Sequence, residues 1–306
     1  MGAIERPEWG EGVPGPVRRP PIPTRAVWID GRICRGEEAR LSLFDRGARD
    51  GEGLFETLRV YGGRPFAWPR HMERLVLSAA VLGFPVPASP VTLRGALGEL
   101  LAAEGLSDAV ARITVTRGIP GGRPTRTGAW VEVEPLAGRL WSGTRSGSAS
   151  VVVSKRPFEP GPLGAHKTTS RLAYHLAREE ARVARVDEAL LVRPSGEVLE
   201  GTVSNLFALR GGEALTPPLA SGILPGVTRA LVLGLGDTVR VPMREQPLTL
   251  ADLESAEELW LTNSVQEIVR VGTVEGRTVR TGPIAVRLGD AYRALVEREI
   301  AGAHRL

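Results

Sequence analysis

GAHKTTSRLAYHLAREEAR, Gly164 to Arg182, holds one of only two lysines, Lys155 and Lys167, among 39 basic residues. The rest are arginine. Arginine stays charged in proteins, whereas a desolvated lysine can shed its proton and act as a nucleophile. A chain that writes arginine by habit and places a lysine at 167 points to chemistry at that amine. Apolar residues from Leu172 onward recur at helical spacing, so a helix is predicted just after the lysine. Thr169 or Ser170 is expected to cap it.

The bulk properties bound the setting. With 306 residues and 42% apolar composition, the chain can bury one large core or two ordinary ones. Mean hydropathy is −0.05, and no apolar run is long enough for a bilayer. Residues 1–25 begin acidic, with Glu5, Glu8 and Glu11, and continue rich in Pro and Arg. They carry no secretory signal and are expected to form a disordered or extended tail. A single cysteine, Cys34, excludes an internal disulfide and fits a reducing, cytoplasmic setting. One cysteine and four histidines supply no zinc pattern, so no metal is expected. The pI of 9.8 accompanies a net charge of only +4 and interspersed signs. Aromatics at 5% are thin for base stacking. Neither a nucleic acid nor a membrane is an expected partner.

AVWIDGRIC alternates around Asp30-Gly31, a type I′ hairpin signal. GLFETLRVYGGRPFAW reads as a second hairpin turning at Gly62-Gly63. Two helices follow. The second is bracketed by Ser89, Pro90 and Gly105. Strands AVARITVTRG and AWVEVEP complete an α+β unit. Within the small, polar stretch 136–150, residues 141–150 read as a linker. It divides a small N-terminal domain, 26–140, from a larger C-terminal domain, 151–306, and the fold class is α/β (α+β) with two domains.

Four separated pieces carry chemistry. Lys167 is the first. Glu200, in GEVLEGTVSNLF, is a carboxylate at a strand-turn-strand. Gly226-Val227-Thr228 opens a helix whose free amides suit an anion. LTNSVQEI, with Ser264, offers further donors, and Arg74 in HMERL offers a guanidinium. Each also has a plain structural use: a solvated lysine, an exposed hairpin glutamate, a Pro-Gly turn, a surface arginine. Taken together they describe a ligand with a phosphate, an aldehyde for the lysine and a ring nitrogen for the acid. Pyridoxal phosphate meets all three requirements.

At these residues the chain resembles the class IV aminotransferases, the fold-type IV pyridoxal-phosphate enzymes. These include D-amino-acid transaminases, branched-chain transaminases and aminodeoxychorismate lyases. FDRGARDGEGLFETLRVYGG, HMERL, TRG, HKTTSRL, LEGTVSNLF, ILPGVTR and LTNSVQEI occur in family order from about Ala26 onward. The resemblance implies two domains with pyridoxal 5'-phosphate in the cleft between them, and a homodimer. It implies Lys167 as the Schiff-base lysine, Glu200 as the acid at the pyridine nitrogen, and Arg74, Val227, Thr228 and Ser264 as phosphate contacts. The implied reaction moves an amino group between an amino acid and a 2-keto acid. Retention of the fold as a cofactor-less binding protein is the non-enzyme alternative; the joint presence of Lys167, Glu200 and Arg74 argues against it.

The member is less sharply marked. A branched-chain enzyme usually carries Gly-Asn-Tyr after the lysine, where this chain has Thr-Ser-Arg-Leu. The familiar D-amino-acid transaminases carry Arg-x-His after the TRG strand and a tyrosine where Phe55 stands. The lyases are echoed by Gly121-Gly122-Arg123 and by Lys167 followed by Arg171-Leu172. Arg49, Arg117 and Arg123 are expected to trap substrate carboxylates, with Phe55 lining the substrate site. That favours D-amino acids such as D-glutamate or D-alanine, with aminodeoxychorismate lyase and branched-chain transaminase as alternatives.

Overall fold

The computed structural model describes residues 25–83, 86–121 and 128–302. Six strands build the first sheet: β1 (Ala26–Ile29), β2 (Arg32–Arg35), β3 (Gly53–Tyr61), β4 (Arg64–Pro65), β5 (Ala109–Thr116) and β6 (Ala129–Pro135). Their order is β2-β1-β6-β5-β3-β4, antiparallel throughout. Both expected hairpins form. Asp30 and Gly31 take φ of 45° and 94°, and Gly62 and Gly63 take 52° and 79°, the left-handed backbone such tight turns demand. A short helix, α1 (Arg46–Asp50), precedes β3.

One face of this sheet is covered by α2 (Trp68–Leu82) and α3 (Pro90–Glu104). The Ser89 hydroxyl accepts from the Thr92 amide at 3.0 Å and Gly105 closes α3 with φ 61°, as predicted. Period-two alternation puts Leu54, Leu58 and Val60 of β3 and Ala109, Ala111, Ile113 and Val115 of β5 into the core with Leu75, Leu93, Leu97 and Leu100. The opposite phase of the same strands presents Phe55, Thr57 and Arg112 to a cleft.

The second sheet is mixed. It holds β7 (Ala149–Val153), β8 (Glu188–Val192), β9 (Glu197–Gly201), β10 (Asn205–Arg210), β11 (Glu213–Thr216), β12 (Met243–Glu245), β13 (Leu248–Thr249), β14 (Glu258–Asn263), β15 (Glu267–Val274) and β16 (Arg277–Thr278). The order is β12-β11-β10-β14-β15-β7-β8-β9-β13, with β16 on β15. Its helices are α5 (Leu172–Ala184), α6 (Val227–Gly234), α7 (Gly236–Val239), α8 (Leu250–Glu254) and α9 (Ile284–Gly302), with α4 (Ser142–Ser146) ahead of them.

The segment read as a linker over 141–150 contains α4 and the start of β7. Gln266 fastens it. Its Oε1 accepts from the Trp141 amide at 3.0 Å and from Thr144 Oγ1 at 2.6 Å, and its Nε2 donates to Arg139 O at 2.7 Å. A single amide side chain thus pairs three polar groups of the crossing. Residues 1–24 and Arg123 lie outside the described residues.

Candidate active site

A cleft of about 490 Å³ opens between the two sheets. It is lined by Phe55, Arg74 and Arg112 from one domain and Lys167, Arg171, Glu200, Val227, Thr228, Thr262 and Ser264 from the other. Six residues expected at a cofactor and one expected at substrate are therefore gathered in one place: Lys167, Glu200, Arg74, Val227, Thr228, Ser264 and Phe55.

The Lys167 segment lies against β3. The Phe55 amide donates to Lys167 O at 2.9 Å, and the Thr169 amide donates to Gly53 O at 2.8 Å. Thr169 Oγ1 and Ser170 Oγ both donate to Gly51 O, at 2.8 and 2.9 Å. This corrects the capping expectation: those hydroxyls bind the other domain, and α5 begins at Leu172 with Arg171 in the cap position and no side-chain cap. Gly53 permits the approach, because a Cβ there would stand 2.8 Å from Thr169 Oγ1. The surrounding protein desolvates the Lys167 amine. Burial, then the Arg171 and Arg74 charges, pull its pKa down to about 7, against the pull of Glu56.

Glu200, at the end of β9, is buried. Its Oε2 accepts from Asn205 Nδ2 and the Leu224 amide, both at 3.2 Å, and the Tyr174 hydroxyl approaches Oε1 at 3.5 Å. Burial pushes its pKa up to about 8, although Arg171, the Leu224 amide and Lys167 pull the other way. A cation placed beside it would restore the carboxylate.

The far end of the cleft gathers hydrogen-bond donors. Gly226 caps α6 without a side-chain bond, so the first α6 amides have no acceptor within the helix. A Cβ at 226 would strike Asn205 Oδ1 at 2.0 Å. Thr228 Oγ1 and Thr262 Oγ1 are buried and without a hydrogen-bond partner among the described residues. Thr228 is close enough to Tyr292 to act on that hydroxyl, yet no bond of ordinary geometry closes between them. Arg74 is held by Glu56, through Nε to Oε1 at 2.7 Å and Nη2 to Oε2 at 2.6 Å, and donates Nη1 to Pro225 O at 2.8 Å. Burial alone would raise Glu56; the Arg74 charge and hydrogen bonds from His71 and Arg74 outweigh it and hold its pKa at about 2.

Two of the arginines expected to meet substrate carboxylates stand outside the cleft. Arg49 is exposed in the last turn of α1. Arg117 donates Nε to Glu52 Oε2 at 2.5 Å and reaches the Leu82 and Gly83 carbonyls, where it closes the C-terminus of α2. Neither lines the cleft. Its guanidinium groups are instead Arg112, Arg139, Arg171 and Arg178, besides Arg74. Arg112 stacks on the Phe55 ring at 3.8 Å and Arg171 stands 5.9 Å from the same ring. Sequence reasoning also missed Glu56 and His71. Among the described residues no cluster of His, Cys, Asp and Glu could hold a metal ion, and no helix is long and apolar enough to cross a membrane.

Residues 53–274 match the family model for amino-transferase class IV. The chain belongs to the class IV aminotransferases. This aminotransferase is 33% identical over 279 residues to a Methanocaldococcus jannaschii protein provisionally named a branched-chain-amino-acid aminotransferase, covering 87% of this chain and 95% of that one. It is 28% identical over 280 residues to the D-alanine aminotransferase of Listeria innocua, covering 87% and 94%. Its structure resembles that of a hypothetical aminotransferase from Mycobacterium tuberculosis in a PLP-bound form, with a TM-score of 0.80 and 26% identity over 90% of this chain and 99% of that one. Class IV aminotransferases use pyridoxal phosphate. The residues of this cleft fit that group: a desolvated amine, a buried acid, and unpartnered threonine hydroxyls beside open helix amides.

Proposed function

We propose that this enzyme transfers the amino group of a D-amino acid bearing a side-chain carboxylate, D-glutamate foremost, to a 2-keto acid. The observation that carries the reading is the pair of guanidiniums, Arg112 and Arg171, on one aromatic ring, Phe55. Burial is the largest influence on both and lowers each pKa; Arg139 and Arg171 add to it at Arg112 against Glu132 and Glu134, while Tyr174, Glu200 and Glu188 oppose it at Arg171. Two such cations fit two carboxylates. Of the specificities in the relatives' names, the branched-chain one calls for an apolar side-chain pocket, and this wall is cationic.

Lys167 would hold the cofactor, Glu200 its ring nitrogen, and Arg74, Val227, Thr228 and Ser264 its phosphate. Pyridoxal phosphate, when bound, supplies an electron sink for the pair left when the substrate loses its α-proton. Lys167 Nζ, freed of its proton near neutrality, would take the substrate's α-proton and hold it for return later in the transfer. Glu200, ionised by a cation facing it, keeps that cation protonated. Arg112 and Arg171 orient the substrate through its carboxylates. Leu43 and Phe44, exposed by 83% and 68%, support a homodimer in which a second copy covers them and receives Arg49, while Arg123 stays a proposed substrate contact.

A half-reaction screen tests the reading. The loaded enzyme is mixed with D-glutamate, L-glutamate, D-alanine, L-leucine and aminodeoxychorismate, and the cofactor's visible band is followed. D-glutamate should convert it fastest. Faster conversion by L-leucine would overturn the assignment, and pyruvate from aminodeoxychorismate without an acceptor would make the enzyme a lyase.

A further inference from the structure

His71 on α2 is 1% exposed and touches two polar atoms. Nδ1 lies 2.8 Å from Glu56 Oε2, and Nε2 lies 3.3 Å from Ser264 Oγ. Glu56 is a carboxylate throughout the neutral range, so Nδ1 carries a hydrogen and donates it. In a neutral ring Nε2 is then an acceptor, and the one hydroxyl hydrogen of Ser264 points at His71. A hydroxyl so committed shows the cleft only its lone pairs. That is the wrong polarity for an anion, which the α6 amides and the Thr228 and Thr262 hydroxyls beside it would receive. Turning the Ser264 hydrogen toward an anion leaves Nε2 unpaired, which is disfavoured for a buried acceptor. Protonating Nε2 removes the conflict, because His71 then donates to Ser264 and Ser264 donates to the anion.

We propose that the anion end of the cleft binds a phosphate-type dianion together with a proton, which comes to rest on His71 and makes Glu56, His71 and Ser264 a proton-linked positioning chain. This rests on the reading of that end as a phosphate site. Every charged group facing His71 bears on it. Burial disfavours the imidazolium most; Glu56 of β3 favours it by hydrogen bond and charge; Arg74 of α2 and Lys167 oppose it. The outcome without an anion is a pKa below the ordinary 6.5 and a neutral ring at about pH 7.5. A dianion adds the missing charge. Because the bound state then holds the extra proton, affinity falls as pH rises.

Sulfate, a dianion that does not titrate near neutrality, tests this on the full chain carrying Lys167→Ala and Glu200→Gln. Those substitutions remove the cleft amine and the cleft acid with a pKa of about 8 that could otherwise take up the proton. Calorimetry at about pH 7.5 in buffers of differing ionisation heat should find net proton uptake with sulfate binding. The uptake should vanish when His71→Asn or Ser264→Ala is added to that background, while both variants still bind sulfate. His71→Gln in the same background places a non-titrating amide donor near Nε2, and its affinity should no longer fall with pH. Sulfate binding without uptake, or uptake that survives His71→Asn, overturns the proton-linked chain alone. Absence of sulfate binding overturns the phosphate reading with it.

Discussion

Phe55 and Lys167 meet twice. The Phe55 amide donates to the Lys167 carbonyl at 2.9 Å, and Lys167 Nζ stands 4.6 Å from the centre of the Phe55 ring. One contact fixes the lysine's backbone to a strand of the other domain; the other replaces water around its amine with an aromatic face. The position of the Lys167 segment in the second domain is thus set by the sheet of the first, and both contacts fail together if the domains part.

Gly53→Ala tests that seam. The new Cβ would stand 2.8 Å from Thr169 Oγ1 and 3.1 Å from Val115 O. Overpacking of this kind costs about 1–3 kcal/mol. We expect a lower Tm and a weakened cofactor-loaded fraction, and a variant with wild-type values in both would show that the Lys167 segment does not depend on this approach.

Glu56→Gln should be more severe. It removes the charge that holds Arg74 and His71, and breaking a buried ion pair costs about 3–5 kcal/mol. Because the folded-state pKa of Glu56 lies at about 2, below its ordinary 4.5, its contribution is fully present above pH 4.5 and is lost as pH falls through about 2. Urea unfolding across that acid range should therefore show a shallower loss of stability in the variant than in the parent. Parallel curves would remove Glu56 from the acid response.

Much of the scaffold was legible in the sequence. Asp30-Gly31 and Gly62-Gly63 announce their turns because few residues accept a positive φ. Ser89 and Gly105 bracket α3 for equally local reasons, and Lys167, one of two lysines in an arginine-rich chain, drew attention to a residue that does line the cleft. The cleft arginines were not legible in the same way. In an arginine-rich chain, charge gives no clue to which side chains turn inward, and Arg117 went instead to the carbonyls ending α2. One signal was available for Arg112. In β5 it shares a face with Thr114 and Thr116, opposite Ala109, Ala111, Ile113 and Val115, so a two-sided burial pattern already set it apart. Glu56 lies in phase with Leu54 and Leu58, which marked a buried acid before its partners on α2 were known. Thr169 and Ser170 look like caps from spacing alone, and only tertiary contact with Gly51 reassigns them.

Glu200→Gln should slow turnover on the order of a hundredfold, the scale of losing one preorganised electrostatic partner. Cofactor affinity should change far less, since the α6 amides and Arg74 are untouched. Stopped-flow proton abstraction with a deuterated α-carbon separates the two effects. An unaltered rate would place the essential acid elsewhere.

Arg112→Met should discriminate between substrates. Losing a hydrogen bond to a charged group costs about 2 kcal/mol, roughly thirtyfold. We expect KM for D-glutamate to rise by about that factor while D-alanine, with no side-chain carboxylate, is spared. Equal losses for both would assign Arg112 to the α-carboxylate instead.

The most direct test of the whole account is the titration of Lys167 itself. The chain contains two lysines, so reductive methylation of the cofactor-stripped protein can be read peptide by peptide, with exposed Lys155 reporting on the reagent in the same sample. A desolvated amine facing the cleft predicts that Lys167 labels with a midpoint at about pH 7. A midpoint near the ordinary 10.5, or no labelling while Lys155 reacts, would contradict it.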